Sequence, residues 1–166
     1  MKHLLITTIA TVLMVGCGNP QPSDTEYRAE YRKNMITAKD MISVGGTLAI
    51  KVSNEHSKRW RDATRDEYSD LKDAVDFSIE LHQKAIDSLN ASRQTLQPFM
   101  SQALSSPPNG FESAHSKLVS VYATYIGLVD AAISPSGSLI SYEKSINRLR
   151  EDFSNGMNEL TVLIPN

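Results

Sequence analysis

Apolar residues recur every three or four positions through four long segments of this chain, and this spacing limits the folds open to it. The most regular segment carries Phe111, Ala114, Leu118, Val121, Tyr125, Leu128 and Ala132. Such spacing places the apolar side chains along one face of an α-helix, where they pack against other helices. No segment of useful length shows the alternation of apolar and polar residues that predicts a β-strand. The chain is therefore predicted to be all-α.

The first predicted helix, helix A, extends from residue 24 to about residue 56. Its apolar stripe consists of Tyr31, Met35, Ala38, Ile42, Gly45, Ala49 and Val52. Ser23 or Asp24 can cap its start, because a side-chain oxygen there accepts hydrogen bonds from the free amides of the first turn. A helix uninterrupted from residue 46 to residue 98 would be ~75 Å long. We therefore place a break between Ser53 and Thr64.

Three further helices are predicted after that break. Thr64 and Glu67 have the spacing of a capping box, and helix B follows with the stripe Tyr68, Leu71, Val75, Ile79, His82, Ile86, Leu89 and Leu96. Pro98 is expected to end or kink helix B. Helix C begins after the turn at residues 105–110. Helix D follows residues 134–137, with Ser138 as its cap and Leu139, Tyr142, Ile146, Leu149, Phe153 and Leu160 as its stripe.

Short connections between four amphipathic helices favour an antiparallel up-down four-helix bundle. The heptad spacing favours shallow crossing angles of about +20°. Gly45, Gly46 and Ala49 are expected to allow one close approach of helices, or a kink. The apolar residues 162–164 are expected to pack back on the bundle.

The N-terminus has the pattern of a secretory signal. Lys2 and His3 form a short basic segment, and residues 4–15 form an apolar run interrupted by threonines alone. This run is shorter than the ~20 residues that span a hydrocarbon core, and it fits the apolar region of a signal peptide. No later segment is expected to span a membrane, since the best candidate, residues 41–50, is short and contains two glycines.

The segment Leu13-Met14-Val15-Gly16-Cys17 resembles the lipobox of bacterial lipoproteins, in which a small residue precedes an obligatory cysteine. Met14 stands where leucine is usual. The resemblance covers about the first eighteen residues. It implies diacylglycerol on the Cys17 sulfur, cleavage between Gly16 and Cys17, and acylation of the new amino terminus, with palmitate as a typical chain. Because Cys17 is the only cysteine, an internal disulfide is excluded.

The expected organisation is therefore a signal peptide at residues 1–16, a lipidated cysteine with a linker at residues 17–23, and a helical-bundle domain at residues 24–166. The linker is rich in turn-forming residues and reaches only ~20–30 Å, so the domain is expected close to its membrane. The predicted location is a lipid anchor on an exported protein. Gly18 rather than aspartate follows the cysteine, which resembles outer-membrane sorting facing the periplasm if the source is Gram-negative.

Charge and composition exclude some functions. The chain has 17 lysines and arginines and 19 aspartates and glutamates. Lys2 is the only one of these within residues 1–16, so the mature part has a formal charge of −3. This mild acidity gives no sign of nucleic-acid binding, which needs a basic face. We expect no nucleic-acid partner.

Candidate catalytic and metal-binding residues are few. Glu112 and His115 have the i, i+3 spacing of di-iron helical bundles, but those sites need two such pairs and two more glutamates. His56 and His82 lack a glutamate three residues before them, and His82 is expected to be a hydrogen-bonded core histidine. No serine lies in a G-x-S-x-G segment, and no phosphate-binding glycine motif occurs. We expect a non-enzymatic protein without metal or cofactor.

Lys58, Arg59, Trp60 and Arg61 form the one local concentration of positive charge and include the only tryptophan. Exposed Trp and Arg are favoured anchors in recognition surfaces. In an up-down bundle this cluster and residues 135–137 meet at the end of the domain farthest from the lipid. One interpretation is a partner-binding tip. The other is a solvated turn with Trp60 tucked into the end of the bundle.

These features favour a membrane-anchored lipoprotein whose bundle binds another component of the cell envelope, either a protein or the cell wall. An exclusion or inhibitor lipoprotein is one alternative. The other is a small-molecule sensor or carrier, in which Tyr122, Tyr125, Tyr142 and Met157 would line a pocket between helices.

Overall fold

The computed structural model describes residues 23–65 and 71–165, and every regular element in those ranges is an α-helix. The helices are α1 (Asp24–Arg65), α2 (Leu71–Leu81), α3 (Gln83–Ala103), α4 (Glu112–Ile133) and α5 (Leu139–Leu163). The prediction of an all-α chain is confirmed. The predicted signal peptide, Cys17 and the linker as far as residue 22 lie outside the described residues.

The apolar stripes predicted for helices A and C form the core. Every residue of both stripes is buried. The helix A stripe lies in α1, and the helix C stripe lies in α4 and at its N-cap residue Phe111. The start of α1 is fixed by Ser23, whose hydroxyl accepts a hydrogen bond from the Glu26 amide at 3.3 Å, while the Glu26 carboxylate accepts one from the Ser23 amide at 2.9 Å. This reciprocal pairing is a capping box. It confirms Ser23 as the cap and holds the pKa of the Glu26 carboxyl below its usual value.

Helix α1 contains 42 residues and continues to Arg65, so the predicted break between Ser53 and Thr64 is wrong. The buried face of α1 continues beyond Val52, where the predicted apolar stripe ends, because buried polar side chains take the next positions on that face. Ser53 and His56 are both fully buried. Thr64 lies inside the helix, where its hydroxyl donates to the Arg61 carbonyl at 2.7 Å. Residue 67, its expected partner in a capping box, lies outside the described residues.

The segment predicted as one helix B contains two helices, α2 and α3, separated at His82. The His82 ring donates from Nδ1 to the Ser78 carbonyl at 2.8 Å. The His82 amide is shared between the carbonyls of Ser78 and Ile79, at 3.2 Å and 3.1 Å. A side chain that takes up a helical carbonyl competes with the regular backbone ladder, which accounts for the interruption.

Two expectations about helix ends are also corrected. Pro98 was expected to end or kink the helix, and the first alternative is wrong because α3 continues to Ala103. In the tail, Ile164 packs against the core as expected. Val162 does not, since 85% of its surface is exposed. Ser138 caps α5 as predicted, because its hydroxyl accepts from the Ser141 amide at 3.2 Å.

The expected close approach of helices occurs at Gly45 and Gly46. A Cβ atom at Gly46 would lie 2.3 Å from Cζ of Phe153 in α5. A Cβ atom at Gly45 would lie 2.8 Å from Cε2 of Tyr125 in α4. The two glycines therefore let α1 pack directly against aromatic rings of two other helices.

Helix α4 is long and apolar enough to cross a membrane by length and composition, with a mean hydropathy of 1.2 over its best 18-residue window. The expectation that no segment after the N-terminal run meets this criterion is therefore wrong. In the fold, α4 packs against α1, α3 and α5. A helix covered on several sides has a high apolar content for that reason.

Candidate functional site

A small apolar cluster at the end of α1 lies apart from the main core. Trp60 packs there with Val75 of α2 and with Tyr142 and Ile146 of α5. The ring centroids of Trp60 and Tyr142 are 5.9 Å apart. Only 8% of the Trp60 surface is exposed. We call these four residues the tip cluster, and they join three helices through one tryptophan.

Tyr142 is held in the tip cluster by its hydroxyl, which donates to the Ala131 carbonyl at 3.0 Å. Burial raises the pKa of Tyr142 to about 12, so its hydroxyl stays protonated at neutral pH. The capping box of Ser138 and Ser141 fixes the first turn of α5 beside it. The start of α5 is therefore positioned both by packing and by hydrogen bonds.

A groove of about 490 Å³ opens beside the tip cluster. We call it the tip groove, and it is lined by Trp60, Thr64, Lys72, Val75, Asp76, Pro135, Ser136, Gly137, Ser138 and Leu139. The predicted meeting of Trp60 with residues 135–137 is thus confirmed. The next residue of α5, Ile140, is 79% exposed.

The four basic and aromatic residues singled out in the sequence lie inside α1 rather than in a connection, because α1 continues to Arg65. Trp60 is buried at the end of the bundle, as expected in the interpretation that gives the cluster no partner-binding role. Arg59 lies over the ring of Phe77, 5.0 Å from its centroid, and half of the Phe77 surface is exposed. Arg61 forms an ion pair with Glu143. Lys58 is exposed.

A buried polar contact lies one turn before the tip cluster. His56 is fully buried, with Nε2 3.0 Å from the Ala132 carbonyl and Nδ1 2.8 Å from the Ser78 hydroxyl. A carbonyl only accepts, so Nε2 carries the proton and Nδ1 accepts from Ser78. Desolvation lowers the pKa of His56, and the nearby His82 ring adds to the effect. In the sequence His56 was considered only as a metal ligand, and Ser78 was not considered. The burial of His56 could have been predicted from the helical spacing of Val52, His56 and Trp60, which continues the stripe of α1.

The predicted pair Glu112 and His115 is engaged in other contacts. Glu112 accepts from the Gly110 amide at 2.8 Å. His115 shares a hydrogen bond of 2.7 Å between Nδ1 and the hydroxyl of Tyr31, and burial raises the pKa of Tyr31 to about 12. Across residues 23–65 and 71–165, no three His, Cys, Asp or Glu residues are grouped so as to hold a metal ion.

The tyrosines proposed to line a small-molecule pocket belong to the packed interior. Tyr125 is fully buried and donates to the Ser92 hydroxyl at 3.0 Å. Tyr122 lies beside it, and Met157 packs against the core. An apolar groove of about 450 Å³ does exist elsewhere, between α1 and α3. It is lined by Asp40, Met41, Val44, Gly45, Leu48, Ser88, Leu89 and Ser92.

No protein-family model matches the chain, and searches of curated proteins and of solved structures found no match to it.

Proposed function

We propose that this chain is the precursor of a bacterial lipoprotein, whose helical domain binds another component of the cell envelope through the tip groove. The anchor is Cys17, acylated after removal of residues 1–16. The domain has no enzymatic role in this proposal. The observation that carries the binding proposal is the tip groove itself, an apolar concavity formed where α1, α2 and α5 meet.

The anchor rests on the N-terminal sequence and on the place where the fold begins. The lipobox-like segment ends at Cys17, and the capping box of Ser23 and Glu26 starts α1 only six residues later. Six residues span at most ~20 Å. The first turn of α1 would therefore lie close to the lipid surface.

We infer that the helices form an up-down four-helix bundle in which α2 and α3 together make one arm. Contacts between helix ends support this topology. Tyr31, early in α1, contacts His115, early in α4, whereas His56, late in α1, reaches Ala132, late in α4. Arg61, late in α1, pairs with Glu143, early in α5. Helices α1 and α4 then run in one direction and α5 in the other.

This topology places the tip groove far from the anchor. Trp60 follows Asp24 by 36 residues of uninterrupted helix, which corresponds to about 54 Å. A surface at that distance is presented to components beyond the headgroup layer. Phe77 and Ile140 are exposed, and each directly follows a lining residue of the groove, Asp76 and Leu139. Arg59 lies over the Phe77 ring.

The test uses variants of the groove that leave the tip cluster intact, since Trp60 itself holds three helices together. One variant combines Lys58→Glu with Arg59→Glu, which reverses the basic charge next to Trp60 in α1 without changing a lining residue. A second, Ser136→Trp, fills the groove from its exposed rim. The matched control combines Lys33→Glu with Lys84→Glu, which makes the same charge change at exposed positions outside the groove. Each chain carries a C-terminal tag and is captured from gently crosslinked cells.

Both groove variants are expected to lose a partner that the wild type and the control retain, with unchanged thermal unfolding. Retention of every captured partner by the two groove variants would contradict the proposal. A partner lost equally by the control would place binding outside the groove.

A second candidate, a carrier of small apolar molecules, is favoured by the groove between α1 and α3. Val44 at its edge is 72% exposed, and Met41 and Leu89 also line it. An apolar concavity of this size suits a small ligand. Saturable binding of an apolar fluorophore, abolished by Val44→Glu and unaffected by Val119→Glu, would support this candidate. Absence of saturable binding would remove it.

A further inference from the structure

A polar cleft of about 370 Å³ lies on the seam between α1 and α5, beside the tip cluster. We call it the seam cleft. Its polar lining consists of Asn54, Ser57, Arg61, Glu143, Asn147 and Arg150. The α1 residues are three and four positions apart, and so are the α5 residues. Successive turns of each helix therefore contribute one polar side chain to the same cleft.

Four of these side chains have no partner within the fold. Among residues 23–65 and 71–165, none forms a side-chain hydrogen bond or ion pair with Asn54, Ser57, Asn147 or Arg150. Ser57 is buried as a residue, with 6% of its surface exposed, whereas Asn54, Asn147 and Arg150 are exposed. The polar groups of these four side chains are therefore available to a ligand that enters the cleft.

Arg150 has no partner within the described residues, whereas several other arginines do. Arg28 donates to the Asn109 carbonyl, Arg32 donates to the Pro165 carbonyl, and Arg93 pairs with Asp130. Arg150 instead lines the cleft with its guanidinium unpaired. A guanidinium offers a planar fork of donors that matches a carboxylate in bidentate geometry.

The charge of the seam cleft specifies its ligand further. Arg61 is already paired with Glu143, so the exposed Arg150 is the one unpaired charge among the lining residues, and a ligand that pairs with it needs one negative charge. One carboxylate meets that requirement. Asn54 and Asn147 each provide an amide that both donates and accepts, and Ser57 provides a hydroxyl. These groups suit neighbouring amide or hydroxyl groups on the same ligand.

We propose that the seam cleft binds a small ligand that carries one carboxylate together with an amide or hydroxyl group. Arg150 binds the carboxylate, while Asn54, Ser57 and Asn147 hydrogen-bond the uncharged polar groups. The cleft lies at the small end of the volume range of ligand sites, which suits a single amino-acid derivative. This site differs from the tip groove, and the proposal holds whether or not the chain is lipidated.

The test titrates the ¹⁵N-labelled full chain, kept in mild detergent, with N-acetylglycine, which contains one amide and one carboxylate. N-acetylglycinamide, which lacks the charge, serves as the matched neutral probe. The variant is Arg150→Gln. The control is Arg148→Gln, an exposed arginine of the same helix that does not line the cleft. Both variants are first compared with the wild type by thermal unfolding.

N-acetylglycine is expected to cause saturable shifts of the amide signals of Ser57 and Asn147. Loss of the charge-assisted pair should weaken binding about tenfold, both in Arg150→Gln and with the neutral probe. Arg148→Gln should bind as the wild type does. Absence of saturable shifts, or equal binding by Arg150→Gln, would overturn the proposal. Equal displacement by inorganic phosphate and by acetate would also overturn it, because it would reveal a site for any anion without recognition of the amide.

Discussion

Trp60 of α1 and Tyr142 of α5 lie with their ring centroids 5.9 Å apart, and this contact ties the end of the longest helix to the start of the last one. Val75 of α2 packs on the same cluster. The tip groove therefore depends on a tryptophan that is part of the structure as well as part of the lining. A tryptophan in this position has to be tested for stability before it is tested for binding.

Replacing Trp60 by alanine is expected to lower the free energy of unfolding by about 3 kcal/mol, because it leaves a cavity between three helices. Trp60→Phe keeps an aromatic ring against Tyr142 and should cost less. Urea unfolding followed by circular dichroism measures both variants. A loss below about 0.5 kcal/mol for Trp60→Ala, the range of ordinary surface substitutions, would show that the tip cluster does not hold α1, α2 and α5 together.

The glycine contact between α1 and α5 gives a second prediction. In Gly46→Ala the new methyl group meets the ring of Phe153 at 2.3 Å, and an aromatic ring in a core has little room to move. The strain of overpacking, about 1–3 kcal/mol, should exceed the helix-propensity gain of about 1 kcal/mol. Gly46→Ala should therefore lower the unfolding midpoint in urea.

Gly127→Ala is the matched control for the glycine contact. Its new methyl group would meet the Leu149 side chain at 3.1 Å through a terminal methyl, which can turn away. This variant should be as stable as the wild type or slightly more stable. Equal effects of the two substitutions would contradict a tight approach at Gly46.

The apolar parts of the fold were predictable because their signal is local. Helix ends at Ser23 and Ser138, and the stripes of α1 and α4, follow from spacing and from capping chemistry. The continuation of α1 was not predicted, because polar residues such as Ser53 and His56 are typical of a solvent-exposed segment. Its burial depends on partners far along the chain, Ser78 and Ala132.

The two sites also differ in whether the sequence could predict them. The meeting of Trp60 with residues 135–137 followed from helix lengths and topology, and the tip groove is found there. The seam cleft was not predicted, because its polar residues on α1 and α5 are ordinary surface types. Only the packing of the two helices brings Ser57 and Arg150 into one concavity.

His56 should make the stability of the domain sensitive to acid. Its pKa is lowered in the folded protein, whereas an unfolded chain titrates near ~6.5. Below that value the unfolded state binds more protons, so the free energy of unfolding should fall as the pH drops from ~6.5 towards the folded pKa. Above ~6.5 the histidine is neutral in both states and its contribution is constant.

Urea unfolding at pH 7.5 and pH 5.5 tests this dependence in a range where ordinary carboxylates stay ionised. His56→Gln should be less stable than the wild type at pH 7.5, since it disturbs the hydrogen bonds to Ser78 and Ala132. Its stability should change less between the two pH values. His115→Gln serves as the control for loss of a histidine outside this buried contact. A wild type equally stable at both values would contradict a buried neutral His56.

The most direct measurement of the central proposal is membrane fractionation of cells that express the wild type or Cys17→Ser, each with a C-terminal tag. The account predicts that the wild type sediments with membranes and that Cys17→Ser does not. It also predicts that a crosslinked partner is enriched with the wild type and not with Cys17→Ser. Identical fractionation of the two chains would contradict anchoring through Cys17.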